Sequence, residues 1–195
     1  MRATASLYLL FALLGSPLLC AAGTSKWEAA PVVPCTSVSL ASPGRGVSYR
    51  GTVRNDDYGL TLVVPPNLTG WGAADVAPFH GFTIFLPERG RLRACLVFEI
   101  HLRVALGDHA TERESGGHEV QVGNIKGLRW ERTGPLDGVP FKNVMVEFSV
   151  GRGEEVYDGQ VWLVTPLEAV EKNEAVLSAF LSPMRFEGTD GPRAR

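Results

Sequence analysis

Of the four histidines in the 195-residue sequence, His80 has the position that most favours catalysis. It lies in the segment PFHGF, at the end of a predicted loop over residues 67–81 and directly before a predicted strand. Such junctions often carry functional side chains. A hydrolase that used His80 as its base would also need a hydroxyl or thiol nucleophile and an acid. The sequence contains no GxSxG nucleophile elbow. The competing expectation is a structural imidazole that is bonded to loop backbone.

His101 lies between Glu99 and Arg103 in a stretch of alternating polar and apolar residues. Because side chains on a strand alternate between the two faces, all three point to the same side, where the carboxylate can orient the imidazole. Alternating charges on the solvated face of a sheet give the same pattern without any function. We expect this second, structural explanation to hold.

A further group of candidate ligands is His109, Glu112, Glu114 and His118, in a polar stretch of the chain. A metal ion needs several such side chains converging on one point. Their spacing matches no closed ligand pattern, so we expect a solvated loop and predict no metal site. The sequence also lacks a glycine-rich phosphate loop, a CxxC pair and an HExxH motif, and this predicts no cofactor.

An export signal is predicted over residues 1–22. Arg2 supplies a positive charge, a run of apolar residues follows, and small residues after Cys20 form a cleavage site before Gly23. A Gly-Ser-Pro break in the apolar run disfavours a transmembrane span. The bulky Leu19 disfavours lipidation at Cys20. We therefore predict an exported, soluble protein of the periplasm or the extracellular space, with no transmembrane segment once the signal is removed.

Two cysteines remain after removal of the leader, Cys35 and Cys95. In an oxidising compartment an even pair predicts one disulfide. A cysteine nucleophile is the alternative, but neither residue has a helix N-terminus or a local histidine that would lower the pKa of its thiol. The sequence favours the disulfide.

The charge balance disfavours nucleic acid as a partner. The formal net charge is −2, and removal of Arg2 with the leader takes it from −2 to −3. A general nucleic-acid binder would carry an excess of Lys and Arg. Arg89, Arg91 and Arg93 do cluster, but they fall in a predicted turn and indicate a solvated segment.

Asn67 begins the sequence Asn-Leu-Thr, which matches an N-glycosylation sequon. The match has meaning only in a eukaryotic source, which the sequence does not identify. A chance match in a loop is the alternative.

Residues 165–186 carry the clearest helix signal. Thr165 is a suitable N-cap, and Glu168 completes a capping box with it. Apolar residues at helical spacing predict an amphipathic helix that must lie on another element to be stable. Pro183 ends the helix, and Met184-Arg185-Phe186 follows as a short final strand or an extended docking segment.

The remainder of the chain alternates with period 2 between turn residues, which predicts strands. We predict them over residues 47–53 and 58–64 (a hairpin), 82–86, 95–104, 119–125 and 128–132 (a hairpin around Lys126-Gly127), 141–150 and 155–164. Strands with one apolar and one polar face predict an antiparallel sheet that is solvated on one side. The predicted fold is therefore α+β, mostly an antiparallel meander with one C-terminal helix packed on a sheet face.

The length favours a single domain. We predict an extended N-terminal segment over residues 23–46, a single α+β domain over 47–187 and a disordered tail over 188–195.

Two segments resemble known proteins. YRGTVRNDDYGLTLVVP and the later HGF are similar to the opening of uncharacterised exported bacterial proteins. The ending WLVTPLEAVEKNEAVLSAFLSPMRF resembles the closing strand, helix and short strand of Mog1/PsbP-like domains. That resemblance implies an α+β sandwich that binds a partner and is not an enzyme.

The sequence therefore predicts a non-enzymatic exported domain that binds or supports another component of the cell envelope. The partner would be an unknown protein or other envelope component, and the charge argues against nucleic acid. The alternative is a secreted or periplasmic hydrolase that uses His80.

Overall fold

The computed structural model describes Cys35 and residues 46–72, 80–87, 94–103 and 117–188. Several predictions fall outside these residues: the leader at 1–22, the extended segment 23–46 apart from Cys35 and Gly46, the arginines Arg89, Arg91 and Arg93, the candidate ligands His109, Glu112 and Glu114, and the tail beyond Gly188. No helix among the described residues is long and apolar enough to cross a membrane.

The described residues form mostly antiparallel strands and one short C-terminal α-helix, an arrangement consistent with an α+β fold. In chain order the elements are β1 (Val47–Tyr49), β2 (Thr52–Asn55), β3 (Leu60–Val63), β4 (Gly70–Gly72), β5 (Gly81–Phe85), β6 (Cys95–Leu102), β7 (His118–Val122), β8 (Ile125–Leu136), β9 (Val139–Arg152), β10 (Glu155–Pro166), a 3-10 turn (Leu167–Ala169), α1 (Val170–Leu181) and β11 (Arg185–Phe186).

The strands form two sheets rather than the single meander that the sequence predicts. The larger has eight strands in the order β1-β4-β5-β6-β10-β9-β8-β7, and the smaller has the order β11-β3-β2. In the larger sheet, β6 pairs with β10 and so joins two meanders that are separate in sequence. Alternation identifies strands but does not state which strand lies beside which, and this is why a single meander was the wrong prediction.

The predicted strand over residues 47–53 is divided between the sheets. β1 pairs with β4 in the larger sheet, whereas β2 forms the predicted hairpin with β3 in the smaller one. The chain changes sheets at Arg50-Gly51, where Gly51 has a φ of 60°. Glycine is the residue that adopts this left-handed conformation without steric cost.

The hairpin predicted around Lys126-Gly127 turns three residues earlier, at Gly123-Asn124. Gly123 has a φ of 57°, and a side chain there would come within 1.8 Å of the carbonyl oxygen of Met184. Gly127 instead lies within β8, opposite Phe148. From the sequence, either Gly123 or Gly127 could form the turn. The turn lies at Gly123, where only a glycine fits against the carbonyl oxygen of Met184.

The larger sheet has an inner face that carries the main core. Leu96, Phe98 and Ile100 of β6 contribute to it and are fully buried. From α1, Phe180 places its ring centroid 6.0 Å from those of both Phe82 and Phe98. Phe180 is one of the apolar residues that the sequence predicts on the amphipathic face of the helix.

The helix ends as predicted but does not begin as predicted. Ser182 is its C-cap, directly before Pro183. Thr165 belongs to β10 and is fully buried. No side chain caps either the 3-10 turn or α1, so the predicted capping box of Thr165 and Glu168 is wrong. Because β10 continues through Pro166, Thr165 faces inward, and its hydroxyl oxygen accepts a bond of 2.8 Å from the amide of Asn173.

Charged residues also link α1 to the far half of the sheet. Glu174 lies 2.7 Å from the Lys142 ammonium and 3.1 Å from Arg129, and Lys142 also lies 2.7 Å from Glu131. Burial alone would raise the pKa of Glu131, but the bonds from Lys142 and Arg129 outweigh it and lower that pKa. Because the folded-state pKa is the lower one, the carboxylate adds stability above the unfolded-state pKa. That contribution is lost as the pH falls through the folded-state pKa.

The opposite, outer face carries a smaller apolar cluster at one end. The disulfide joins Cys35 to Cys95, the pairing expected from the sequence. Around it lie the buried Val97, Phe141 and Val164. The bridge closes a loop with a sequence separation of 60 residues.

Replacing both bridged cysteines (Cys35→Ser with Cys95→Ser) should lower the free energy of unfolding by about 4 kcal/mol, because the unfolded chain regains the entropy of an open loop. Urea denaturation of the mature protein measures this difference. Reduced wild-type protein is the matched control and should unfold with the double variant. A double variant as stable as oxidised wild type would contradict the expectation.

Thr165→Val should destabilise the protein by about 1–3 kcal/mol, because the buried amide of Asn173 loses its hydroxyl acceptor while the side-chain volume is nearly unchanged. Thr165→Ser keeps the acceptor and serves as the control. Thermal and urea unfolding of the three proteins provide the comparison. Equal losses in both variants would show that the hydroxyl bond contributes nothing.

Candidate functional site

Beyond the apolar cluster, the outer face becomes polar. Its register places Glu99 of β6 opposite Gln160 of β10, which in turn lies opposite Glu147 of β9. Two residues further along, His101 lies opposite Asp158. We call this surface the outer patch, and it consists of His80, Glu99, His101, Arg103, Glu147, Ser149, Asp158 and Gln160.

One half of the outer patch is a closed hydrogen-bonded network around Asp158. Arg103 donates to both carboxylate oxygens, with Nε 2.7 Å from Oδ2 and Nη2 2.5 Å from Oδ1. Ser149 donates its hydroxyl to Oδ1 at 2.7 Å and accepts from Arg103 at 2.9 Å. Burial alone would raise the pKa of Asp158, but these donors outweigh it and the pKa is lowered. Ser149 is therefore held by an acid and an arginine, not by a histidine base.

Glu99 has a different environment on the same face. It is half-buried, and no described residue donates a hydrogen bond to its carboxylate. The neighbouring amide of Gln160 donates to Glu147 instead, at 3.1 Å. Burial raises the pKa of Glu99, and the imidazoles of His101 and His80 oppose that rise without cancelling it. The carboxylate is thus destabilised as an anion.

His80 is fixed by its backbone directly before β5. Its carbonyl oxygen accepts a bond of 2.8 Å from the amide of Ile100. The next residue, Gly81, has a φ of 135°, and a side chain there would come within 1.9 Å of the carbonyl oxygen of Phe98. This close approach of β5 to β6 requires glycine, and it holds the His80 backbone opposite Ile100 of β6.

Within the described part of the chain, the nucleophile that a His80 hydrolase needs is not in place. No described hydroxyl or thiol is hydrogen-bonded to the imidazole of His80. Cys35 and Cys95 are bonded to each other. The backbone carbonyl of His80 is bonded to Ile100, and loop residues 73–79, to which the alternative prediction assigns the imidazole, lie outside the described residues.

The other candidates are distributed over several elements. Glu99 and His101 do share one face, whereas Arg103 engages Asp158 and not Glu99. His118 is exposed on β7. The described residues contain no group of three or more His, Cys, Asp or Glu side chains that could hold a metal ion.

Sequence reasoning did not single out Glu147, Asp158 or Gln160. Each occupies a polar position in an alternating strand, so the signal was present. Their meeting with Glu99 depends on the pairing of β6 with β10 and of β10 with β9, which alternation does not specify.

Two clefts lie elsewhere on the described surface. The larger, of about 420 Å³, is formed by residues 63–69 with Arg50 and Gly51. It includes the exposed Asn67 of the sequon, and Arg50 donates at 2.9 Å to the Thr69 hydroxyl. A smaller cleft of about 230 Å³ lies where the end of α1 meets β7–β9. His80 lines neither cleft.

Glu99→Gln should raise the free energy of unfolding at pH 7 by about 0.5 kcal/mol, a small gain because solvent screens this half-buried group, since it removes a partly desolvated charge that has no donor among the described residues. A carboxyl whose pKa is raised by folding destabilises the folded protein once it ionises. The gain from Glu99→Gln should therefore disappear below about pH 4, where the wild-type carboxyl is neutral like the amide that replaces it. Urea denaturation at several pH values measures it. Glu147→Gln, which alters a hydrogen-bonded carboxylate on the same face, is the control. A loss of stability at pH 7 in Glu99→Gln would contradict the assignment.

Comparisons with known proteins give a fold and no family. No protein-family model matches this sequence. No curated protein sequence matches it. The resemblance to Mog1/PsbP-like domains therefore stays a prediction.

Among solved structures, LpqN, described as involved in cell envelope biogenesis of Mycobacterium tuberculosis, is similar with a TM-score of 0.54 and 12% sequence identity. The alignment covers 73% of this chain and 98% of LpqN. A protein from Bacteroides thetaiotaomicron VPI-5482 aligns with a TM-score of 0.47 and 11% identity, covering 75% of this chain. This chain spans about half of that protein, 51% of its length. At these identities the similarity to LpqN concerns the fold alone.

Proposed function

We propose that this protein is an exported, non-enzymatic binding domain of the cell envelope, and that the outer patch is its binding surface. The observation that supports this most directly is Glu99, a half-buried carboxylate without a donor among the described residues. A charge held in this way costs stability. Titratable groups that burial and neighbouring charges perturb are concentrated at functional sites.

Three observations support export and an envelope location. The apolar leader over residues 1–22 has the pattern of a signal peptide. The Cys35–Cys95 disulfide suits an oxidising compartment. The similar fold of LpqN occurs in a protein described as involved in cell envelope biogenesis. The partner is accordingly a protein or another component of the envelope.

In this proposal residues 47–187 form one domain, with α1 packed on the inner face of the larger sheet. The contacts of Phe180 with Phe82 and Phe98 support that packing, as do the ion pairs of Glu174. The apolar side of the helix is then used internally, and the outer face remains for a partner. This is also the arrangement that a Mog1/PsbP-like domain implies.

A hydrolase that uses His80 receives less support from the geometry. Ser149 has a hydroxyl on this face, in register with Asp158 and His101, and it is already bonded to Asp158 and Arg103.

Site-specific photo-crosslinking in cells that export the protein tests the proposal. A photoreactive amino acid placed at His101 or Ser149, both exposed on the outer face, should give a crosslinked product of defined mass in the envelope fraction. The same amino acid at Glu171, exposed on α1, is the matched control and should give none. Mass spectrometry of the product then identifies the partner.

Equal crosslinking from all three positions, or from none, would contradict a binding surface on the outer face. The enzyme alternative is tested on the same preparations with a panel of ester and amide substrates. Turnover that disappears in His80→Gln while the variant stays folded would replace the binding proposal with a hydrolase.

A further inference from the structure

The larger cleft, formed by residues 63–69 with Arg50 and Gly51, lies where the chain passes from one sheet to the other. On one side β1 ends at Tyr49 and β2 begins at Thr52, and on the other the chain runs from β3 to β4. Its volume of about 420 Å³ is in the range of small-molecule sites. No residue of the outer patch lines it, so the cleft is a separate feature of the surface.

Backbone hydrogen bonds hold the walls of this cleft. The amide of Val64 donates to the carbonyl oxygen of Gly51 at 2.8 Å. The amide of Leu68 donates to the carbonyl oxygen of Pro65 at 3.2 Å and closes a turn. The third residue of that turn, Asn67, has a φ of 65°. A positive φ at this place is typical of a type II turn, which accepts asparagine there. The walls are therefore fixed by the fold before any ligand binds.

The walls of the cleft are largely apolar. Val64 and Pro65 are buried, whereas Val63 and Leu68 are half-buried. Leu68 also packs against the main core, which holds its side chain from the inside. An apolar chain in the cleft would cover the exposed parts of Val63 and Leu68. Removal of this apolar surface from water favours binding.

Arg50 supplies a positive charge to the same cleft. Its Nε donates to the Thr69 hydroxyl at 2.9 Å, while Nη1 and Nη2 bond to no described residue. No acid is present among the described residues that line the cleft, so no carboxylate of the site neutralises this charge. The N–H groups of a guanidinium match the paired oxygens of a carboxylate or a phosphate.

We propose that this cleft binds an anionic amphiphile, a molecule with a carboxylate or phosphate group and a short apolar chain. Arg50 holds the oxyanion, and the chain lies along Val63 and Leu68. The amide of Asn67, which also lines the cleft, is a second donor for the oxyanion. Both parts of the ligand are needed, because a simple anion leaves the apolar walls in water and a neutral chain leaves Arg50 without an acceptor.

This site goes beyond the proposed function and does not depend on it. The outer patch and the cleft share no residue. Ligand binding in the cleft can be measured on the purified protein without a partner, whereas crosslinking from the outer face requires one. Failure of either experiment therefore leaves the other result unchanged.

The test is an NMR titration of the isotopically labelled mature protein with octyl phosphate, below the concentration at which it forms micelles. The backbone amides of Gly51, Val64 and Leu68 should shift and saturate, with a dissociation constant in the millimolar range or below. Inorganic phosphate has only the head group, and octyltrimethylammonium has the same chain with the opposite charge. Each should bind about tenfold more weakly or not at all.

Three variants separate the two parts of the site. Arg50→Gln should weaken octyl phosphate binding about tenfold, the loss expected when a charge-assisted hydrogen bond is removed. Arg54→Gln removes an exposed arginine of β2 that does not line the cleft, and as the matched control it should leave the affinity unchanged. Val63→Thr keeps the β-branched shape and replaces a methyl by a hydroxyl. It should weaken octyl phosphate binding without changing the response to inorganic phosphate.

Absence of saturable shifts at these amides, or equal affinities of wild type and Arg50→Gln, would overturn the proposal. Equal binding of octyltrimethylammonium or of inorganic phosphate would also overturn it, because the charge or the apolar walls would then contribute nothing. Circular dichroism confirms that each variant is folded. Should Arg50→Gln fail to fold, Val63→Thr and the two comparison ligands still decide the matter.

Discussion

The pairing of β6 with β10 is the interaction on which the rest of the structure depends. It runs from Leu102 opposite Tyr157 to Cys95 opposite Val164 and joins two meanders that are distant in sequence. A slip of one residue would move every side chain of β6 to the opposite face. Phe98 would leave the core and Glu99 would enter it. The single register that buries Phe98 therefore also creates the outer patch.

Two carboxylates on this pair of strands show how differently the fold can treat the same chemical group. Asp158 has a bidentate arginine and a serine hydroxyl, and the pKa of its carboxyl is lowered. Glu99, on the adjacent strand and the same face, has no donor among the described residues, and burial raises its pKa. A purely structural acid would be expected to have donors such as those of Asp158. Local departures from stability of this kind are where functional sites are expected.

The sequence predicted those features that depend on local chemistry. Alternation located most strands, Pro183 located the end of the helix, and the even cysteine count indicated the disulfide. Predictions failed where two local signals were equally good and a distant contact decided between them. Thr165 has the chemistry of an N-cap, but strand pairing of β10 with Lys142 keeps it in the sheet. Gly127 has the chemistry of a turn, but Met184 leaves room only for a glycine at Gly123.

The candidate site was predictable only in part, for the same reason. His80, Glu99 and His101 were recognisable because each stands beside a chemically informative neighbour in sequence. Asp158 and Glu147 became part of the site only through register. The antiparallel pairing of β6 with β10, which are far apart in sequence, thus determines which polar residues meet. Periodicity within a single strand does not contain that information.

The disulfide and the β6–β10 pairing constrain different parts of the unfolded chain. The bridge closes the segment between Cys35 and Cys95, whereas β6 and β10 close the segment that follows Cys95. Because the two loops do not overlap, the entropy removed by the bridge is not the entropy that the strand pairing must overcome. The two constraints meet at Cys95, which is bridged to Cys35 and pairs with Val164 at the end of β6, so their contributions to stability need not add. Glu99 lies four residues further along β6, where its pairing with Gly81 and Gln160 sets its position.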